Sequence, residues 1–182
     1  MTPSSTEMHR VLQAQAGDRA ALDALLRSIE QPLFAYVAGV VGRGPLAEDV
    51  LQDVFVLVYR KLTWLRDPAL FRPWVYRLAS RECFCALRHI TRRAETFVDA
   101  AELDAIGDAH EPDEATRALV ARLPDALTHV PPGSRAALLL HYAHDLSLAE
   151  TAEVLGLPVG TVKSRVAYGL AAMRRALDIT EA

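Results

Sequence analysis

SLAETAEVLGLPVGTVKSRVAYGLAAM, residues 147 to 173, carries the spacing of a helix-turn-helix. Ser147 followed by Glu150 is a capping-box pattern, so a helix is expected to begin at Leu148. Ala152 falls on the side that must approach the next helix, where a larger side chain would hold the two apart. Gly156 follows four positions later, at the turn, where a positive φ is often needed. Pro158 favours a new helix start, and Val162, Val166, Leu170 and Met173 recur at helical spacing as the inward face of the second helix. Its exposed N-terminal end then presents Thr161, Lys163, Ser164 and Arg165, where such motifs touch the DNA major groove. The alternative is a helical hairpin in a structural bundle. It gives no reason for cap, small residue, glycine and apolar positions to fall in phase.

The 182-residue chain has room for one medium domain or two small ones, and its net charge of −3 is at first sight wrong for a DNA binder. Divided along the chain, the charge reads differently. Residues 1 to 94 hold 13 Lys/Arg against 9 Asp/Glu, and residues 117 to 182 hold 7 against 6. Between them, ETFVDAAELDAIGDAHEPDEAT (95 to 116) holds 8 Asp/Glu and no Lys/Arg. Two mildly basic blocks therefore flank an acidic segment poor in bulky apolar residues. This segment reads as a flexible linker kept extended by self-repulsion. No apolar run approaches membrane-spanning length, and MTPSSTEMHR lacks the charged start and apolar block of a secretory signal. A cytoplasmic protein without a membrane partner is expected.

The block from about residue 10 to 94 reads as a helical bundle. Asp18 can cap a helix with the apolar stripe Ala21, Leu22, Leu25, Leu26 and Ile29, and Pro32 is expected to open a separate short helix ending near Gly42. After the GRGP turn (42 to 45), Leu46 to Leu62 buries Ala47, Val50, Leu51, Val54, Val58 and Leu62 and turns Glu48, Asp49, Gln52, Asp53 and Arg60 outward. A long helix is expected from about Pro73 to Thr91. In the C-terminal block, Arg117 to Val130 reads as one helix, Pro131-Pro132-Gly133 as a break, and Ser134 to Ala143 as the start of the three-helix unit containing the motif.

At about 100° per residue, the helix from Pro73 separates into two faces. Val75, Ala79, Cys83, Ala86, Leu87 and Ile90 gather on a core side, and Trp74, Arg77, Arg81, Phe84, Arg88 and Arg92 gather opposite. Cations interleaved with rings suit a single nucleic-acid strand, since Arg holds phosphates and rings stack on unpaired bases. The competing reading is a solvated Arg face with Trp74 and Phe84 tucked against neighbouring helices. Likewise Asp49, Gln52 and Asp53 suit either a basic partner helix or plain solvent. No metal, cofactor or catalytic site is expected. Cys85 with His89 and His141 with His144 supply two ligands each and no closed zinc set, Cys83 and Cys85 point to nearly opposite sides of one helix, and no phosphate loop, nucleophile elbow or HExxH occurs.

From about Gly17 to Leu177 the chain resembles bacterial sigma factors of the extracytoplasmic-function (ECF) group. AEDVLQDVFVLVYRKL (47 to 62) is similar to the family's region-two helix, which binds the clamp helices of the largest RNA polymerase subunit. FRPWVYRLASRECFCALR (71 to 88) is similar to its promoter-melting and minus-ten-reading segment, and LSLAETAEVLGLPVGTVKSRV (146 to 166) to its region-four helix-turn-helix. The resemblance implies an all-α, two-domain transcription initiation factor without catalysis of its own: region two at 10–94, acidic linker at 95–116, region four at 117–180. It implies that Asp49, Gln52 and Asp53 dock core RNA polymerase. It further implies that Trp74, Arg77, Arg81, Phe84, Arg88 and Arg92 face the non-template strand, and that Thr161, Lys163, Ser164, Arg165 and Tyr168 meet the minus-thirty-five element. An anti-sigma protein is a further family expectation. Three departures stand out: Arg81 where the family often has asparagine, Pro73 where it usually has a helix former, and Ala167-Tyr168-Gly169-Leu170 where it usually stays basic. Gly169 is expected to weaken the recognition helix. The rival functions are a helix-turn-helix regulator that acts without polymerase and a degenerate sigma that binds only protein partners.

Overall fold

The computed structural model describes residues 4–93 and 114–177; the acidic segment as far as residue 113, and the side chain of Arg92, lie outside them. Every regular element among the described residues is helical. Helices α1 (Ser5–Gln15), α2 (Arg19–Val41), α3 (Pro45–Lys61) and α4 (Phe71–Arg93) form the N-terminal bundle, with 3-10 turns at Leu62–Trp64 and Pro68–Leu70 joining α3 to α4. Asp18 caps α2 by accepting from the N–H groups of Ala20 (2.9 Å) and Ala21 (3.1 Å), and Asp67 caps the second turn through Ala69 N–H. Pro73 sits in the first turn of α4, where its missing N–H costs no helical bond. The expected inward residues of α3 are buried or packed on the core, and Glu48, Asp49, Gln52 and Asp53 are exposed.

Three features of the bundle depart from expectation. Pro32 does not open a new helix; it lies inside the continuous 23-residue α2. An interior proline costs about 3 kcal/mol, but one uninterrupted side of α2 buries Leu25, Ile29, Leu33, Tyr36 and Val40, and that burial outweighs the lost bond. Helix α1 was not expected. Its signal is Ser4-x-x-Glu7, and the Ser4 hydroxyl does accept from Glu7 N–H at 3.1 Å. Glu7 then accepts from Arg72 Nε at 2.8 Å, and Gln15 Nε2 donates to the carbonyls of Leu62 (2.9 Å) and Leu65 (2.7 Å), which ties α1 across the ends of α3 and α4. Ile90, expected in the core, is 42 % exposed, whereas Val75, Ala79 and Cys83 earlier on the same side of α4 are buried.

The C-terminal head comprises α5 (Glu114–Thr128), α6 (Pro132–Leu138) running on into a π-helical turn at Leu139–Ala143, α7 (Leu148–Leu155) and α8 (Val159–Ala176). Helix α5 begins within the stretch expected to be linker and carries Pro124 in its interior. The capping box forms as expected: Ser147 Oγ accepts from Glu150 N–H (3.2 Å), and Glu150 accepts from Ser147 N–H (2.8 Å). That backbone hydrogen bond holds the Glu150 carboxyl below its usual range. Gly156 ends α7 at φ 66° and ψ 40°, the left-handed conformation that a side chain penalises. Ser147→Ala is expected to destabilise the chain by about 1 kcal/mol, visible as a lower urea midpoint with unchanged helical circular dichroism.

Val130, Ala137, Leu138, Ala152, Val162, Val166 and Ala172 make a core for the C-terminal head alone. A larger core runs through the N-terminal bundle and continues into Ala136, Leu140, Leu146 and Val154 of the C-terminal head. Helix α7 lies on α4 and α6 on α2, so the two heads share packed surface.

Candidate nucleic-acid and polymerase interfaces

Three surfaces come from the residues singled out above. On α3, Asp49, Gln52 and Asp53 are all exposed, with Val50 and Val54 anchoring the opposite side. Helical spacing carries the same face forward to Val56, 40 % exposed, and to Tyr59 and Arg60 beside it. Trp64, in the turn after α3, is 74 % exposed. Sequence reasoning missed Val56, Tyr59 and Trp64. The available signal was Val56 and Tyr59 on a side of α3 already assigned to polar residues, with Trp64 following in the turn. An acidic edge beside exposed aromatic and aliphatic area has the composition of a protein-docking surface.

On α4 the structure separates the two residue types in the proposed stripe. Arg77, Arg81 and Arg88 are exposed, whereas Trp74 and Phe84 are half-buried and pack on the bundle core. Trp74 lies against Phe71 with ring centroids 6.4 Å apart. A solvent-facing guanidinium row thus lines a helix whose rings are partly sheathed. Burial of Cys83 pushes its thiol up to about 12, so it behaves as a core residue. Neither Cys83 nor Cys85 is in a disulfide. Among the described residues no cluster of three or more His, Cys, Asp or Glu could hold a metal ion, and no helix is long and apolar enough to cross a membrane.

Helix α8 presents Thr161, Lys163, Ser164 and Tyr168 to solvent. Ser164 Oγ donates back to the Gly160 carbonyl at 3.1 Å, leaving its lone pairs outward. Arg165 is half-buried; its guanidinium stands over Gly133, where a Cβ would come within 2.8 Å of Nη1. It therefore also packs on the start of α6. Gly169 has a different role from the one its low helix propensity suggests. It is buried, and a Cβ there would meet Leu138 Cδ1 at 2.6 Å and Val130 Cγ1 at 3.4 Å, so its bareness lets α8 lie close on α6.

Comparison with known proteins agrees with this arrangement. Residues 25–93 match the Sigma-70 region 2 family and residues 121–173 match Sigma-70, region 4. The chain is 30 % identical over 178 residues to the ECF RNA polymerase sigma-E factor of Escherichia coli K12, covering 91 % of each. It is 28 % identical to the RNA polymerase sigma-H factor of Pseudomonas aeruginosa, over 98 % of this chain and 97 % of that one. Among solved structures, CnrH in complex with the cytosolic domain of CnrY has a TM-score of 0.70 at 24 % identity over 97 % of this chain and 100 % of CnrH. RpoE of Bartonella quintana, in complex with the anti-sigma factor NepR, has a TM-score of 0.73 at 19 % identity over 87 % of this chain and 98 % of that one. The chain belongs to the ECF sigma factors: it is an alternative sigma factor, a transcription regulator that directs RNA polymerase to initiate at particular promoters.

Proposed function

We propose that the three surfaces divide the work of initiation. The α3 face formed by Asp49, Gln52 and Asp53, extended by Val56, docks core RNA polymerase. The exposed guanidinium groups of Arg77, Arg81 and Arg88 on α4, with Arg92 beyond them and Trp74 and Phe84 beside them, hold the non-template strand of the minus-ten element. The N-terminal half of α8 reads the minus-thirty-five element through Thr161, Lys163 and Ser164, with Arg165 and Tyr168 at its edge. The chain has no catalytic role of its own and acts in the cytoplasm beside the polymerase. Its N-terminal domain takes in α1 ahead of the expected 10–94, and its C-terminal domain starts with α5 at Glu114 ahead of the expected 117–180, with the acidic segment between them as linker. As with the relatives solved with CnrY and NepR, an anti-sigma protein is its expected restraint.

The observation that carries this reading is the simultaneous exposure of an acidic face on α3, a cationic row on α4 and a polar recognition edge on α8. Each lies on a helix whose other side is anchored in a core. The exposed but uncharged Ala167 and Tyr168 thin the phosphate contacts on α8, which is the feature that favours a degenerate sigma as second reading. Transcription reconstituted with purified core enzyme on a promoter library separates the two, since the degenerate form yields no defined start sites. Lys163→Ala and Arg165→Ala are each expected to weaken dependence on the upstream element about tenfold and to leave core binding unchanged. Equal loss of both activities would contradict the division of labour.

A further inference from the structure

We propose that Gln15, at the end of α1, is a positioning residue for strand binding: it holds the connector between α3 and α4 in one conformation, so that the connector meets the unpaired strand together with the guanidinium row of α4. The inference rests on the reading that α4 holds that strand. Helix α1 lies wholly ahead of residues 25–93, the part of the chain that matches Sigma-70 region 2, so that match gives it no role.

The connector, residues 62 to 70, consists of two 3-10 turns with the extended Leu65 between them. Single 3-10 turns have poor hydrogen-bond geometry, so their conformation depends on what holds them from outside. A primary amide nitrogen carries two donors, and Gln15 Nε2 directs both at this connector, to the Leu62 carbonyl at 2.9 Å and the Leu65 carbonyl at 2.7 Å. Those two residues are buried, whereas Trp64 between them is 74 % exposed. The indole therefore stands in solvent on a backbone pinned on both sides. At the far end of the connector, Glu7 of the same helix accepts from Arg72 Nε at 2.8 Å, where α4 begins. Helix α1 thus holds both ends of the segment.

Charge indicates the partner. Residues 60 to 66, RKLTWLR, hold three cations and no carboxylate, and Arg60 and Arg66 are exposed. The docking face earlier on α3 is acidic at Asp49 and Asp53, so the two stretches suit partners of opposite charge. An exposed ring among cations has the composition that takes a single strand, with bases on the ring and phosphates on the guanidinium groups. A connector free to change conformation would lose that freedom at each binding event, and holding it beforehand removes the cost. The two hydrogen bonds from Gln15 therefore bear on strand affinity as well as on the docking of α1.

Binding of a promoter recovered from the library, prepared with its minus-ten segment single-stranded, to polymerase carrying each variant tests the proposal. Gln15→Met removes both donors at similar volume, Gln15→Glu puts acceptors in their place, and Gln15→Lys keeps donors long enough to reach the same carbonyls. The Met and Glu variants are expected to bind the single strand about tenfold more weakly with core affinity unchanged, and the Lys variant to stay within about twofold of the wild type. Time-resolved fluorescence anisotropy gives a second readout on the free chain, with Trp74→Phe in every variant so that Trp64 is the sole tryptophan. It is expected to fall for Met and Glu and to hold for Lys. A role confined to stability would not divide strand binding from core binding in this way. Should the Met and Glu variants fail to fold, Glu7→Ala against Glu7→Gln, which alone keeps an acceptor for Arg72, asks the same of the other end, with a loss of about threefold expected for Ala. Equal strand binding by all variants, or a Lys variant as impaired as Met, overturns the proposal. Core affinity falling in step with strand binding also overturns it, and assigns the connector to polymerase. Arg77→Ala separates the two levels of inference. If it too leaves strand binding unchanged, the reading of α4 fails; if it alone weakens binding, only the role of Gln15 is lost.

Discussion

Asp49→Lys combined with Asp53→Lys is expected to weaken core-polymerase binding by at least about a hundredfold and to abolish promoter-directed transcription. Both carboxylates are exposed on α3, one turn apart on the same face. The opposite side of that helix is held by Ala47, Val50, Val54 and Val58, each no more than 3 % exposed, so two charges can be reversed, a net change of four units, without touching the core. Placing like charges across an interface built for opposite ones costs several kcal/mol, and each 1.4 kcal/mol is a factor of ten. The check is a titration of labelled core enzyme with each protein, beside circular dichroism and thermal unfolding of the variant alone. Unchanged unfolding with lost binding is the expected pair. Unchanged binding would remove α3 as the docking surface.

Phe71→Ala is expected to be the most damaging single truncation in the N-terminal bundle, at about 3–5 kcal/mol. Phe71 opens α4, is completely buried and lies against Trp74. It therefore both plugs the core and sets where the guanidinium row begins. A loss of that size approaches the whole stability of an ordinary domain, so the melting transition should fall by at least about 10 °C. Transcription should fail together with folding. Trp74→Phe, which keeps an aromatic at a half-buried site, should retain most of the stability and so show whether the indole itself meets the separated strand. A Phe71→Ala protein that melts like the wild type would mean that the core does not depend on this ring.

Much of this was legible in the sequence because the signals are local. Ser147 with Glu150, Gly156 and the Val162–Val166 spacing each specify a cap, a stop and a buried stripe within one or two helical turns, and each appears where expected. The faces of α3 and most of α4 follow from a 3.6-residue period for the same reason. Signals that compete locally are less informative. Pro32 opposes helix continuity by itself, and only the length of the buried stripe around it shows that packing prevails. Gly169 is a poor helix residue in isolation and a close-packing one beside Leu138.

By itself the sequence determined an all-helical chain, its sigma-like regions in order, the acidic stretch between them and the charged edges that belong to each. These depend on residues a few positions apart, where propensity, periodicity and capping act directly. Tertiary structure alone decided that Tyr76 meets His144, that Arg135 reaches Val40 and that one apolar core runs through both heads. Partners 68 and 95 residues apart leave no periodic trace, because their contact depends on how whole helices pack and not on what any one helix prefers.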